Sequence, residues 1–465
     1  MKDIKFGTDG WRAIIADGYT VENLTRVTQA TAAWLKKNFE QPSVMVGYDC
    51  RFNGEMFRNV VANILGQEGI KVFISPGFVS TPMVSLSVHK RQTDAGIVIT
   101  ASHNPPEYSG FKIKGSFGGS ALPATIAEIE SYIPASAGGY EDKLEALTDS
   151  GQVEYYDMEA VYLNHLKSNF DLKLIRESGL KIGYDAMYGA GMDCFRKTFP
   201  KASLLHADYN PSFMGTAPEP IEKNLKEFQA LIRSEGLDIG LATDGDADRI
   251  GLMDEEGNFV DSHHILLLLI HYLHKVKGLS GKVVATFSVT PKVRKLCELY
   301  GIDIQITKVG FKYICGIMLD EDVLVGGEES GGIAVKGHLP ERDGIYIGIM
   351  IMEMMAKSGK KLTELVQEVY DLVGSFFFQR RDLHLPEAKK NAIVAQLKSA
   401  PYTQIGDYSV SNTEDIDGYK FHLPNEQWVM IRPSGTEPVL RIYAEGPDRA
   451  ATEAVLDATV ATIMN

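Results

Sequence analysis

Cysteine is scarce in this chain: Cys50, Cys194, Cys297 and Cys315 are the only four in 465 residues. They lie far apart, without the close pairs of a zinc site, and four are too few for a disulfide scaffold in a chain this long, so a reducing cytoplasm is the expected setting. Basic charge is also short, with 47 Lys and Arg against 61 Asp and Glu and a formal net charge of -14. A general nucleic-acid surface needs the opposite balance, although a small anion can still be held locally. Long apolar runs are missing too. The longest, Ile265 to Leu273, falls far short of the roughly 20 residues that span a bilayer, and the start MKDIKFGTDG has no signal-peptide core. Neither membrane insertion nor secretion is expected. No long biased tract argues for disorder, and 44% hydrophobic with 23% charged residues is an ordinary globular balance.

What is present is a repeated order of short apolar runs and amphipathic helical stretches, the signature of a mainly parallel α/β sheet. Three rounds are visible. The first has SVMVGYD at 43 to 49, KVFISPG at 71 to 77 and AGIVITASHNP at 95 to 105; the second has KIGYD at 181, SLLHAD at 203 and DIGLATDGDADR at 238; the third has KVVATFS at 282, IQITKVG at 304 and VLVGGEESGG at 323. Each round's last strand runs into a polar, Gly-containing loop, and ligands of open α/β sheets gather at the carboxyl ends of strands. Beyond Gly374 the pattern changes to strands such as QWVMIRP and VLRIYAE and a closing helical stretch, which suggests a smaller α+β domain. At roughly 150 residues per domain the length suits this count. The expected domains are 1–145, 146–255, 256–373 and 374–465.

Several loops carry candidate chemistry. TASHNPPEYSGFKIK at 100 to 114 sets Ser102 just after a buried-looking strand, on a loop that two prolines and a glycine keep from becoming helix, and predicts an exposed serine. Ser102 lacks the GxSxG turn of a hydrolase, and an ordinary capping serine is the alternative on composition. TDGDADRI at 243 to 250 spaces Asp244, Asp246 and Asp248 two apart, so that an extended loop can aim three carboxylates at a hard cation, magnesium being the natural reading. A calcium EF-hand fits the acidic spacing, but Arg249 stands where that loop needs glycine and the flanks read as strands; a solvated acidic turn remains open. GGEESGG at 326 to 332 offers carboxylates and a hydroxyl suited to sugar hydroxyls, and RPSGTEP at 432 to 438 an arginine fork with groups that can hold a phosphate, though either can be a plain turn. FGTDGWRA at 6 to 13 adds Arg12 beside turn residues.

In this order the five segments FGTDGWRA, TASHNPPEYSGFKIK, DGDADR, GGEESGG and RPSGTEP resemble the α-D-phosphohexomutase family across nearly the whole chain. The resemblance implies three related α/β domains with mixed, mainly parallel sheets and a smaller α+β fourth domain around a central cleft. It implies an intramolecular phosphotransferase, with Ser102 as the phosphoserine and, together with Asp244, Asp246 and Asp248, a ligand of Mg2+. Arg249 would stabilise charge, Glu328 and Ser330 would bind sugar hydroxyls, and Arg432, Ser434, Gly435 and Thr436 would grip the substrate's non-transferring phosphate. Arg12 and Lys112 match basic active-site positions. The implied partner is a small phosphosugar with a sugar 1,6-bisphosphate as activator, acting on a monomer or homodimer. Members of the dual phosphomannomutase and phosphoglucomutase type carry histidines where this chain has Gly332 and Phe311. GEES, HLPERDG and GFK resemble phosphoglucomutases more, which makes glucose phosphate the expected sugar, Lys312 a candidate general base and His338 a cleft residue; mannose, glucosamine and pentose phosphates are the alternatives.

Overall fold

The structure, a computed structural model, describes residues 4–7, 9–139, 141–433 and 439–464. The first apolar runs form β1 (Trp11–Ile14), β2 (Ser43–Tyr48), β3 (Lys71–Ile74), β4 (Ala95–Ile99), β5 (Tyr108–Gly115) and β6 (Val153–Tyr155), in the sheet order β1-β5-β4-β2-β3-β6. The pairs β2–β3, β2–β4 and β3–β6 are parallel, while β5 runs antiparallel to both β4 and β1. Every residue of β4 is buried, because helices cover both faces of a parallel sheet and leave no side of the strand to solvent. The helix Thr81–Arg91 starts where Ser80 Oγ accepts from Met83 N and Pro82 occupies the first turn, a start that places Thr81 at the sheet's carboxyl edge. The first sheet reaches past residue 145 to take β6 as its sixth strand.

A second sheet holds β7 (Ile182–Asp185), β8 (Ser203–Leu205), β9 (Ile239–Thr243), β10 (Ile250–Met253) and β11 (Phe259–Val260), ordered β11-β10-β9-β7-β8. β9 and β10 are antiparallel, and the aspartate segment is the turn between them. The third round supplies β12 (Lys282–Thr286), β13 (Ile304–Thr307), β14 (Val323–Gly327) and β15 (Ile333–Val335); β14 and β15 pair antiparallel, with GEESGG spanning the turn. The chain therefore has three α/β domains, each with a chemically loaded loop after its last parallel-type strand, and a smaller C-terminal domain. No helix among the described residues is long and apolar enough to cross a membrane.

By backbone contacts the chain divides into two compact units, Met1–Val284 with Gly310–Val366, and Ala285–Val309 with Gln367–Asn465. The second unit contains an antiparallel sheet of β16 (Phe377–His384), β19 (Asn412–Glu414), β20 (Tyr419–His422), β21 (Trp428–Pro433) and β22 (Val439–Gly446), ordered β16-β22-β21-β20-β19, and a ribbon of β17 (Gln404–Ile405) and β18 (Tyr408–Ser409). One face buries Val429, Ile431, Leu440 and Ile442 against Leu397 and Leu456 of the helices Glu387–Ser399 and Arg449–Met464. The other face buries Trp428, Met430 and Tyr443 against Phe287 and Ile306, side chains of the upstream segment.

That second face also holds ionisable groups out of water. Lys420 lies over the Trp428 ring at 4.2 Å, donates to the Val289 carbonyl at 3.3 Å, and is pushed by burial down to about 8. Burial likewise pushes the Glu445 carboxyl up to about 7 from 4.5, against the opposing hydrogen bond to Thr290 and the Lys420 charge. Between pH 4.5 and about 7 the folded unit thus keeps a proton at Glu445 that the unfolded chain has released. This group's contribution to stability is full below pH 4.5 and is lost as the pH rises to about 7, by at most about 3 kcal/mol. Glu445→Gln is expected to remove that decline. Urea midpoints at pH 5 and pH 7 check it: the difference between the two should shrink in the variant, and an unchanged difference contradicts the assignment.

Candidate active site

Beyond the end of β4 the chain turns through Thr100 and Ala101 into Ser102, whose φ of +52° lies in the left-handed region that few non-glycine residues occupy. Local hydrogen bonds hold it there. Ser102 N–H donates to Thr100 Oγ1 at 2.9 Å, the Thr100 hydroxyl donates to Asp49 Oδ2 at 2.5 Å, and the Ser102 carbonyl accepts from Arg51 Nη2 at 2.6 Å. The sequence predicts an exposed serine, and the structure corrects this: Ser102 is only 1% exposed. The turn after β9 closes over it, so near that a Cβ on Gly245 would meet the Ser102 carbonyl oxygen at 2.6 Å. Ser102 Oγ donates to Asp244 Oδ2 at 2.6 Å.

The aspartates do not come from an extended loop. Ala247 is left-handed at φ +56°, and the N–H groups of Asp248 and Arg249 both donate to Asp244 Oδ1 at 3.0 Å, so the segment is a tight turn pinned by its own first carboxylate. This turn sets one oxygen of each of Asp244, Asp246 and Asp248 within 4.8 Å of one another, all three residues being buried. Asp246 Oδ1 and Asp248 Oδ1 are buried without a hydrogen-bond partner. Orphaned, converging carboxylate oxygens are the donor set of a hard divalent cation, and the residues present fit one.

The charges confirm how demanding this arrangement is. Burial, reinforced by Asp246 and Asp248, holds the Asp244 carboxyl well above its ordinary range. Burial acts the same way on Asp246, but Lys112 overrides it and holds that carboxyl below the ordinary range. Lys112, fully buried on β5, places Nζ 2.7 Å from Asp246 Oδ2, 3.0 Å from Asp248 Oδ2 and 2.9 Å from Asp9 Oδ2. Its burial would favour loss of the proton, and the three carboxylates reverse that and hold the ammonium above its ordinary range.

Four residues that the sequence did not single out complete the cluster. Asp9 pairs with Lys112 and with Arg342, whose Nη2 also lies 2.7 Å from Asp248 Oδ2. Thr81 Oγ1 donates to Asp246 Oδ2. Arg51 spreads over the serine loop, donating to the carbonyls of Ser102, Asn104, Pro105 and Tyr108. Their signals in the chain are weak: Asp9 lies in FGTDGWRA and Arg342 in HLPERDG, each close to a residue that stands out more, whereas Thr81 and Arg51 sit in unremarkable strand-end and helix-start positions.

The remaining candidates are placed as follows. Arg12 Nη1 donates to Asn104 Oδ1 at 2.7 Å on the serine loop, and burial lowers its guanidinium despite the opposing pull of Asp9. Arg249 Nε stands 4.0 Å from Asp244 Oδ2. Glu328 is buried and raised by that burial; its Oε1 accepts from Gly310 N–H at 2.8 Å and its Oε2 lies 4.0 Å from Arg342 Nη1. Its loop is stitched to the aspartate turn, since Ile250 N–H donates to the Gly331 carbonyl at 3.1 Å. Ser330 is partly exposed on the same loop. Lys312 is partly exposed and lines a cleft of about 190 Å3 together with Asp9, Gly10, Ser120 and Glu130. His338 is engaged elsewhere: Nε2 lies 2.9 Å from Asp343 Oδ2, Nδ1 lies 3.1 Å from His165 Nε2, and the ring stacks on Tyr346. None of these partners belongs to the Ser102 and aspartate cluster. In the second unit Arg432 Nε donates to Asp417 Oδ2 at 3.1 Å; Ser434, Gly435 and Thr436 lie outside the described residues.

Four domain families match the chain in order: Phosphoglucomutase/phosphomannomutase, alpha/beta/alpha domain I over residues 3–137, domain II over 160–257, domain III over 261–373, and the C-terminal domain over 383–462. A phosphoglucomutase/phosphomannomutase of Thermococcus kodakarensis is 31% identical over 446 residues, covering 95% of this chain and 94% of its own. A phosphoglucosamine mutase of Carboxydothermus hydrogenoformans is 32% identical over 467 residues, covering 98% of each. A crystal structure from Thermus thermophilus superposes with a TM-score of 0.88 at 31% identity over all of both chains. The N-acetylphosphoglucosamine mutase of Aspergillus fumigatus, solved with GlcNAc-6P and magnesium, shares the fold with a TM-score of 0.61 at 17% identity, covering 99% of this chain and 96% of its own.

Removing the buried ammonium tests the electrostatics of the site. Lys112→Met should lower stability by about 3 to 5 kcal/mol, because it leaves Asp9, Asp246 and Asp248 short of a counter-charge in a dry environment. Thermal melts with and without magnesium check the cause: the cation should raise the midpoint of the variant more than that of the wild type. Equal shifts would mean that the lost stability is packing.

Proposed function

The chain belongs to the phosphoglucomutase/phosphomannomutase family of α-D-phosphohexomutases and is an intramolecular phosphotransferase acting on a sugar phosphate, and on that premise we propose that Ser102 carries the phosphoryl group in transit. One observation carries the assignment: Ser102 Oγ lies 2.6 Å from Asp244, first member of a buried carboxylate triad with two orphaned oxygens. We take Asp244, Asp246 and Asp248 as the residues that hold Mg2+, with the Ser102 oxygen as a further ligand. That cation would supply Lewis-acid neutralisation of the transferring oxygens.

The chain's own residues account for the rest of the cycle. Starting from phosphorylated Ser102, a free hydroxyl of the sugar monophosphate attacks phosphorus, the bond from phosphorus to Ser102 Oγ breaks, and a sugar bisphosphate forms. The bisphosphate reverses in the site, Ser102 Oγ attacks its other phosphate, and the isomeric monophosphate leaves with the serine rephosphorylated; a sugar 1,6-bisphosphate would prime enzyme that has lost its phosphate. Lys312 Nζ is the candidate base for the attacking hydroxyl's proton. Lys112, Arg12 and Arg249 supply positive charge where negative charge builds on the phosphoryl oxygens. Arg432, Ser434, Gly435 and Thr436 would bind the phosphate that is not transferred. A cytoplasmic setting belongs to the same proposal, since Cys50, Cys194, Cys297 and Cys315 are all free thiols.

The sugar is read by Glu328 and Ser330. The leaning towards glucose drawn from GEES has less support than its alternatives, because the named relatives are phosphoglucosamine mutases or carry the dual name. We place glucosamine phosphate first on those names, with Glu329, partly exposed on the same loop, as the candidate carboxylate for a substrate ammonium. A histidine at Gly332, as in the dual type, would require Arg342 to shift, since a Cβ there would come within 2.4 Å of Arg342 Cδ.

Two outcomes are expected. Ser102→Ala should lose nearly all turnover, and intact-mass measurement should find one phosphate on active wild-type enzyme and none on the variant; a variant with full activity ends the assignment. Across glucosamine, glucose and mannose 1-phosphates with saturating magnesium and bisphosphate, kcat/KM should be highest for glucosamine by roughly tenfold, the worth of one good charge-assisted hydrogen bond. A higher value for glucose would return the choice to the sugar that GEES suggests by resemblance.

A further inference from the structure

The serine loop is held by one guanidinium. Arg51 is 1% exposed and donates to four carbonyls between Ser102 and Tyr108, at 2.6 Å to Ser102, 2.6 Å to Asn104, 2.8 Å to Pro105 and 3.0 Å to Tyr108. Asp49, 3.4 Å from Arg51 Nε, fixes the group from the first sheet's side and also anchors Thr100, on which the Ser102 N–H rests. These bonds hold Ser102 in its left-handed conformation, and they depend on the guanidinium not being hydrated. A lone Arg in water would exchange carbonyl partners for solvent at little net cost.

What covers Arg51 comes from the second sheet's domain. The segment after β8 bends back at Asn210 to Thr216, where Phe213 N–H donates to the Asn210 carbonyl at 3.0 Å and Thr216 N–H to the Phe213 carbonyl at 3.0 Å. Two successive non-glycine residues, Phe213 at φ +46° and Met214 at φ +51°, are left-handed here, which costs of order 1–3 kcal/mol each. The bend points Phe213 inward, to 1% exposure, and leaves Met214 69% exposed. The Phe213 ring lies 5.1 Å from the Arg51 guanidinium carbon. The same segment ends on the aspartate turn, with Pro218 Cγ 3.2 Å from where a Gly245 Cβ would stand.

We infer that Phe213 is a positioning residue for Ser102: the second domain's bend presses an aromatic ring on Arg51, keeps that guanidinium dry, and so fixes the phosphate-carrying loop against the aspartate turn. This rests on Ser102 as the phosphoryl carrier. The ring acts through Arg51 and touches no reacting atom. A cation and an aromatic face attract most strongly when both are desolvated, which is the arrangement found here.

The test compares Phe213→Ala, Phe213→Leu and Phe213→Tyr with wild type in steady-state turnover, in phosphoserine lifetime followed by intact mass, and in thermal midpoint. Phe213→Ala should lower kcat by about tenfold to a hundredfold, the usual consequence of misplacing a reacting group by an ångström, with KM nearly unchanged. Its phosphoserine should be lost to water faster than in wild type. Phe213→Tyr, which keeps a ring face, should recover most of kcat, whereas Phe213→Leu, which keeps apolar bulk alone, should stay with Phe213→Ala. Arg51→Lys should add little to Phe213→Ala, because both break one device. A kcat that survives Phe213→Ala, or that Leu restores as well as Tyr, overturns the inference; if Phe213→Ala does not fold, the contrast between Leu and Tyr decides alone. Absence of phosphate on wild-type Ser102 would instead sink the mutase mechanism, so the two failures are told apart.

Discussion

Like charge held out of water is the constraint on which this molecule is organised. Three carboxylates with oxygens within 4.8 Å repel one another by a few kcal/mol per pair even at an effective dielectric near 20. A chain that buries them must bring compensating cations from elsewhere in its sequence. Lys112 therefore sits on β5, paired on both sides inside the first sheet, where its Nζ reaches two of the aspartates and Asp9. Arg342 comes from the third round and serves Asp248 and Asp9 together. The consecutive residues Glu341, Arg342 and Asp343 each take a different partner, Lys114, Asp248 and Tyr162, so the arginine that answers the aspartate turn lies in a segment tied to the first and second domains as well.

Much of this was legible in the chain. The three rounds of apolar runs begin within one residue of the strands β2 to β4, β7 to β9 and β12 to β14, because burial on both faces forces a continuous apolar strand that the sequence displays directly, while their polar ends leave the sheet as loops. Ser102, Lys112 and the three aspartates were legible because each is local to a motif. Their geometry was not. Alternation at Asp244, Asp246 and Asp248 suggested an extended segment, yet the Asp244 side chain accepts two backbone N–H groups and folds the segment into a turn. Ser102 is buried where its loop suggests exposure for a related reason: Gly245, which closes over it, comes from a segment more than a hundred residues away. Partners at such separations, Asp9 with Arg342 or Arg51 with Phe213, leave no periodic trace.

Substrate choice shows the same divide between motif and surroundings. GEES offers groups for sugar hydroxyls and by resemblance leans to glucose, yet only a few hydrogen bonds separate the hexoses. In the folded chain Glu328 is fixed by Gly310 N–H and faced by Arg342, and Gly332 is small because Arg342 passes over it. The loop is thus shaped by a residue that also pairs with Asp248 in the carboxylate cluster, and the ties of Arg342 to Asp248 and Asp9 hold it in place there.

The composition of the second compact unit bears on how the chain is made. Its sheet buries its Trp428 face against Phe287 and Ile306, which are synthesised 141 and 122 residues before Trp428. At elongation rates of about 5–20 residues per second, those two side chains wait on the order of ten seconds for a partner. During that interval Phe287 and Ile306 lack the Trp428 face that covers them in the folded unit, so the second unit cannot complete its core until its last strands are made.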